Sequence, residues 1–143
     1  MQQRISLITL GVRDINRAKA FYDALGWVAV DVDNPDAPVP YNVTGMTLAL
    51  WSWDALAADA GVSATGSGFR GVAIAHNVRT REDVAVVLSA AEQAGGTIIK
   101  PAHDTFWGGH SGYFADPDGH VWEIAFNPFA PLGPNGEFQW IGS

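Results

Sequence analysis

The residues whose types could do chemistry gather in the second half of the chain. His76, His103, His110 and His120 offer imidazole nitrogens for a metal or a proton. Glu123 offers a carboxylate, either as an oxygen ligand or as a general base. Thr105-Phe106-Trp107-Gly108-Gly109-His110-Ser111 sets two aromatic rings beside two glycines, a loop suited to covering a flat ligand. Other chemistries are excluded or unsupported. With no Cys there are no disulfides, thiolate sites or Cys nucleophiles. Ser111 follows His110 only as a sequence neighbour, without the elbow an acyl-transfer nucleophile needs. Gly108-Gly109 lacks the context of a phosphate-binding loop, and there is no dinucleotide fingerprint.

The elements that must position these residues read as one pattern used twice. Ile5–Val12 is a strand, Asp14 N-caps a helix with Ile15, Ala18, Phe21, Tyr22 and Leu25 at helical spacing, and Gly26 closes it. Trp27–Val32 reads as the next strand, and the segments near Val39–Val43 and Met46–Trp51 as two more. A short Ala-rich helix capped by Asp54 follows. The second copy starts at Gly71–Val78, with Thr80 and Asp83 forming most of a capping box before Val84, Val87, Leu88, Ala91 and Ala94. Thr97–Lys100 is a strand, and Pro101–Gly112 a loop carrying His103 and His110. Ser111–Ala115 and His120–Phe126 form a hairpin about the turn Asp116-Pro117-Asp118-Gly119. The expected organisation is one structural domain: module 1–60, linker 61–68, module 69–127 and a Pro/Gly-rich apolar tail 128–143 that needs somewhere to dock.

Composition bounds the rest. A chain of 143 residues that is 48% hydrophobic and 16% charged reads as globular and long enough for a real core. The net charge of −7 argues against a nucleic-acid partner and favours, weakly, a cationic ligand. No apolar run approaches a membrane span and the N-terminus lacks a signal-peptide layout, so no membrane partner and a cytoplasmic location are expected.

The paired βαβββ layout resembles the vicinal-oxygen-chelate superfamily of glyoxalase I, extradiol dioxygenases and fosfomycin- and bleomycin-resistance proteins. The residues that carry the resemblance are Leu10-Gly11-Val12-Arg13-Asp14 before the helix ending Ala20-Phe21-Tyr22, and Gly112-Tyr113-Phe114-Ala115-Asp116-Pro117-Asp118-Gly119-His120-Val121-Trp122-Glu123-Ile124. It implies an α+β fold in which two tandem modules curl their mixed sheets into a cup, with a homodimer as the expected assembly. In metal-dependent relatives, four strand positions supply the ligands. By its own motifs, this chain has Leu7 and Ala73 at the two first-strand positions, seven residues before Asp14 and Thr80. Ala49 and Glu123 fall at the two last-strand positions, four residues after Gly45 and Gly119. Leu and Ala donate no lone pair, and one carboxylate cannot hold an ion that wants three or more N/O ligands. No metal at the usual site and no cofactor are therefore expected. A displaced set of His103, His110 and Glu123 is the alternative, whereas His76 falls on the helix-facing side of its strand by alternation and His120 sits at a turn.

Alternation also gives the lining of the expected cup. Leu7, Thr9, Thr47, Ala49 and Trp51 point in from the first copy, and Gly71, Ala73, Ala75, Asn77, Val121, Glu123 and Ala125 from the second. An apolar wall with a few placed polar groups is the usual form of a small-molecule pocket. The candidate ligand-binding residues are Leu7, Ala49, Trp51, Ala73, Asn77, Trp107, His110 and Glu123, with Trp107 closing over the cup. Glu123 is also the candidate catalytic base. A carboxylate in an apolar cup has its charged form disfavoured unless a ligand cation, Arg70, Trp107 or His110 compensates. Three functional readings follow, the last being a structural or regulatory dimer with no small ligand. The first is a protein binding a small, partly apolar, cationic molecule without metal at the usual site. The second is a lyase or dioxygenase-type enzyme using Glu123 as base or a displaced metal.

Overall fold

The computed structural model describes residues 1–3 and 5–140, and the chain divides into two compact units, Met1–Arg70 and Gly71–Ser143. In the first unit β1 (Leu7–Val12) leads into α1 (Ile15–Ala24), then β2 (Val39–Val43), β3 (Met46–Ser52) and α2 (Trp53–Ala60). Its sheet has the order β1-β3-β2, with β1 parallel and β2 antiparallel to β3. Asp14 caps α1 by accepting from the Arg17 N–H, as its position predicts. The α1 face carrying Ala18, Phe21 and Tyr22 is buried, and Tyr22 meets Trp27 and Tyr41 in an aromatic cluster. Tyr41 is almost wholly buried, and its hydroxyl donates to Asp23 Oδ1 at 3.1 Å. Burial first, then that hydrogen bond and the Asp23 charge, push the phenol well above its ordinary range.

The strand expected over Trp27–Val32 does not form. One backbone bond, Val30 N–H to the Pro40 carbonyl at 2.8 Å, ties the segment to β2. Its reciprocal would need an N–H at residue 40, which proline lacks. Val28, Val30 and Val32 accordingly stay 82%, 40% and 46% exposed. The cap of α2 is also corrected: Ser52, not Asp54, accepts from the Ala55 N–H, and Asp54 lies in the first turn. Part of the expected linker is tied down within this unit, since the Trp53 indole donates to the Ala64 carbonyl at 2.8 Å.

The second unit runs β4 (Ala73–Asn77), α3 (Arg81–Gln93), β5 (Thr97–Asp104), β6 (His110–Ala115) and β7 (Val121–Phe126). The sheet order is β4-β7-β6-β5, with β4 parallel to β7 and the other pairs antiparallel. Thr80 and Asp83 make the full capping box of α3. The helix lies across β5, β6 and β7, burying Val84, Leu88 and Ala91 against Phe114, Trp122 and Ile124. Gly112 permits that approach, because a β-carbon there would stand 2.5 Å from Leu88 Cδ1 and 2.9 Å from the Lys100 carbonyl. Asp116 Oδ1 accepts from the Asp118 and His120 N–H groups and fixes the turn between β6 and β7. The fold class is α+β, as expected, with mixed sheets of three and four strands. Among the described residues no helix is long and apolar enough to cross a membrane.

Candidate functional site

Strand register decides which side chains meet. In the second unit Ala73 pairs with Val121, Ala75 with Glu123 and Asn77 with Ala125. Ser111, Tyr113 and Ala115 lie opposite Ala125, Glu123 and Val121 across β6–β7. These residues share the sheet face opposite α3, because alternation sends Gly112, Phe114, Trp122 and Ile124 toward the helix. Glu123 is half-buried, flanked on the β4 side by exposed Ala73 and Ala75 and on the β6 side by the half-buried ring of Tyr113. Burial raises the Tyr113 pKa, and the Glu123 charge and a hydrogen bond to that carboxylate raise it further. The phenol therefore stays neutral at physiological pH, in register with Glu123 on the neighbouring strand.

Tyr113 is the neighbour of Glu123 that strand-by-strand reading missed. Counting outward from the hairpin turn would have found it, since Ala115 opposite Val121 forces Tyr113 opposite Glu123. Lys100 pairs in turn with Tyr113, between two register shifts of β5. One row of the sheet thus reads Lys100, Tyr113, Glu123, Ala75.

Among the other candidates His103 pairs with Ser111 and so shares the Glu123 face, whereas His110 and His76 do not. His110 is opposite Phe126, one step out of phase with Ser111 and Tyr113, so it belongs to the helix side of the sheet and not to the Glu123 face. There His110 Nδ1 donates to Asp104 Oδ1 at 2.9 Å, and Arg81 at the start of α3 pairs with the same carboxylate. The hydrogen bond from His110, and then the Arg81 guanidinium, hold the Asp104 carboxyl below its usual range. His103 donates from Nδ1 to the Pro101 carbonyl at 3.0 Å. Both residues lie in strands, because β5 continues to Asp104 and β6 begins at His110; the loop expected over Pro101–Gly112 shrinks to 105–109. His76 pairs with Ile124 on the helix side, as expected, but on the edge strand, where it keeps an exposed surface. The protein around it still desolvates the imidazole enough to lower its pKa from 6.5. The displaced set of His103, His110 and Glu123 does not converge.

Trp107 lies on its own turn. The Thr105 N–H donates to the Gly109 carbonyl and the Gly108 N–H to the Thr105 carbonyl, while Thr105 Oγ1 accepts from the Gly109 N–H. The indole packs where a Gly109 side chain would be, with Cζ3 1.9 Å from the position of a β-carbon. The aromatic loop is a tied turn.

In the first unit Leu7, Thr9 and Gly11 lie opposite Thr47, Ala49 and Trp51, which puts all six on one face. Leu7 is exposed and Ala49 buried. A β-carbon on Gly11 would meet Trp53 at 3.2 Å and Leu56 at 3.5 Å, so α2 covers that end of the face. The Trp51 indole donates to the Asp36 carbonyl at 3.0 Å and Thr47 donates to Asn42, which commits both polar groups within the unit.

The four metal seats keep equivalent positions in the two units. Leu7 is in register with Thr47, two residues before Ala49, as Ala73 is with Val121, two before Glu123. Their donor chemistry does not fit a divalent ion, since Leu7, Ala49 and Ala73 contribute only aliphatic carbon. Among the described residues no three His, Cys, Asp or Glu gather closely enough to hold one.

Comparison with known proteins gives a consistent family. A family model described as Glyoxalase/Bleomycin resistance protein/Dioxygenase superfamily matches residues 4–124. Comparison with curated proteins gives no match. Among solved structures, a glyoxalase-related enzyme from Fulvimarina pelagi is 40% identical, with 99% of this chain and 100% of that one covered and a TM-score of 0.88. A glyoxalase/bleomycin resistance protein/dioxygenase family enzyme from Burkholderia phytofirmans PsJN is 23% identical, with coverage of 85% and 96% and a TM-score of 0.74. A lactoylglutathione lyase from Agrobacterium tumefaciens is 21% identical, with coverage of 89% and 96% and a TM-score of 0.66. The last two show likeness of fold alone.

Proposed function

The chain belongs to the glyoxalase/bleomycin resistance protein/dioxygenase superfamily, and from that premise we propose that it binds a small, partly apolar, cationic organic molecule on the Glu123 face of its second sheet. The observation that carries this reading is a half-buried carboxylate set among Ala75, Val121 and Ala125. Small residues beside it leave room, and apolar neighbours strengthen its attraction for a cation by excluding water. Recognition rests on Glu123 and its surroundings, and no step runs through a metal, because the seats cannot supply the ligands.

The test is quenching of intrinsic Trp fluorescence by a panel of cationic aromatic compounds and their neutral counterparts, with the wild type beside Glu123→Gln. The cationic compounds should bind the wild type and lose about tenfold or more in affinity for the variant, the usual effect of losing a charge-assisted hydrogen bond. Unchanged affinity removes Glu123 from the site.

A second reading, proton abstraction by Glu123, is supported by the description of the Fulvimarina pelagi relative as an enzyme. It predicts deuterium uptake into a bound carbon acid in D2O, abolished by Glu123→Gln.

A further inference from the structure

The row Lys100, Tyr113, Glu123, Ala75 is asymmetric, and the asymmetry assigns a direction to binding. On the β6 side the Glu123 carboxylate stands in register with the Tyr113 phenol, and the next residue outward is a lysine. A cation approaching from there would compete with the phenol and meet a like charge. On the β4 side stand the methyl groups of Ala75 and Ala73, both exposed, with no charged side chain at a register position of that face on β4. A carboxylate has about four lone-pair sites, and a phenol on one side can take no more than one of them. The remaining sites can receive N–H donors.

We propose that the ligand's charged group is a protonated amine held by Glu123 from the β4 side, over Ala75, with Tyr113 as the residue that orients the carboxylate for it. This inference rests on the reading of the Glu123 face as a ligand site. It goes further by naming the headgroup, the side of entry and the residue that sets the preference. An amine with N–H groups satisfies the open oxygen positions, which a neutral alcohol does more weakly and an anion opposes. Tyr113 supplies a fixed donor from the far side, so the carboxylate presents one arrangement of acceptors to the amine. Lys100 extends the row beyond Tyr113, where a carboxylate-bearing ligand would have to turn its charge; it makes the β6 side the wrong side for an amine.

The experiment uses the full chain and a matched series, 4-phenylbutylamine, 4-phenylbutanol and 4-phenylbutyrate, titrated calorimetrically. The wild type should bind the amine at least about tenfold more tightly than the alcohol and bind the acid most weakly. Glu123→Gln should erase the preference between amine and alcohol. Ala75→Leu fills the β4 side and should weaken the amine by a similar factor, whereas Lys100→Ala should leave it unchanged or tighten it. Tyr113→Phe keeps the ring and removes the donor. It should narrow the amine-over-alcohol ratio several-fold and abolish the near-ultraviolet tyrosine difference spectrum that amine binding produces in the wild type. A residue that merely packed would change neither. Thermal melts of each variant confirm folding.

Failure separates cleanly. If none of the three compounds binds at millimolar concentration, or if all bind and Glu123→Gln changes nothing, the Glu123 face is not the ligand site and both readings fall. If Glu123→Gln erases binding while Ala75→Leu leaves it intact, the site stands and the β4-side geometry is overturned. If the alcohol binds as tightly as the amine to the wild type, the amine assignment is overturned.

Discussion

Single residues in this chain are chosen for the space they leave as much as for the groups they carry. Gly109 shows this most sharply. A β-carbon there would lie 1.9 Å from Trp107 Cζ3 and 2.7 Å from the Phe126 carbonyl oxygen. The indole could swing away, but the backbone oxygen of β7 cannot without disturbing the pairing of β6 with β7. Gly109→Ala should therefore destabilise the protein by about 1–3 kcal/mol, the usual cost of overpacking. That lowers the melting temperature by several degrees at this chain length, readable by thermal denaturation. The Trp107 fluorescence maximum should shift red as the ring leaves its seat. An unchanged melt and spectrum would mean that the ring does not rest on Gly109. The same economy applies to Ala73 and Ala75 beside Glu123: a larger side chain at either position would fill the space in which the proposed ligand stands.

At the scale of elements, the chain's periodicity made most of the fold legible, and its prolines account for much of what was not. Asp14, Thr80 and Asp83 are caps in the sequence and in the structure, because an oxygen three residues before a free N–H has one obvious partner. The Asp116–Gly119 turn fixes the register of β6 on β7, and with it the placement of Tyr113. Trp27–Val32 has strand composition but faces Pro40, so composition alone overstates it. Thr97–Asp104 continues through Pro101 because β5 is an edge strand with irregular register, where a missing N–H costs little. The aliphatic metal seats were readable from each helix cap, whereas the side of the sheet taken by His110 was not: the start of β6 had to be known first. Pro40→Val tests this account directly. Pro40 directs its carbonyl to Val30, so an N–H at the same residue would face the Val30 carbonyl. Amide hydrogen exchange should slow at residue 30, and the amide newly present at residue 40 should itself be protected, with little change inside β3. Exchange as fast as in the wild type would show that something other than the missing donor keeps Trp27–Val32 out of the sheet.

Over the whole molecule the charge is unevenly shared. Of the eight basic residues three lie in Gly71–Ser143, and of the fifteen acidic residues eight do, leaving that unit at −5 of the total −7. Two electrostatic contributions would then act on an amine: the diffuse field of the acidic unit and the local contact with Glu123. They respond differently to salt. The screening length falls from about 10 Å at 0.1 M to roughly 3 Å at 1 M, which suppresses the field of exposed charges and spares a partly buried contact. Affinity for 4-phenylbutylamine should thus fall only a few-fold between about 0.05 and 0.5 M NaCl, while 4-phenylbutanol, having no charge, should show no such loss. Glu123→Gln leaves the unit at −4, so a shallow salt dependence should survive in the variant at much weaker overall affinity. Were the wild type to lose the amine altogether at high salt, and the variant to match it at low salt, the diffuse field would be the whole attraction. The carboxylate beside Tyr113 would then be one surface charge among many.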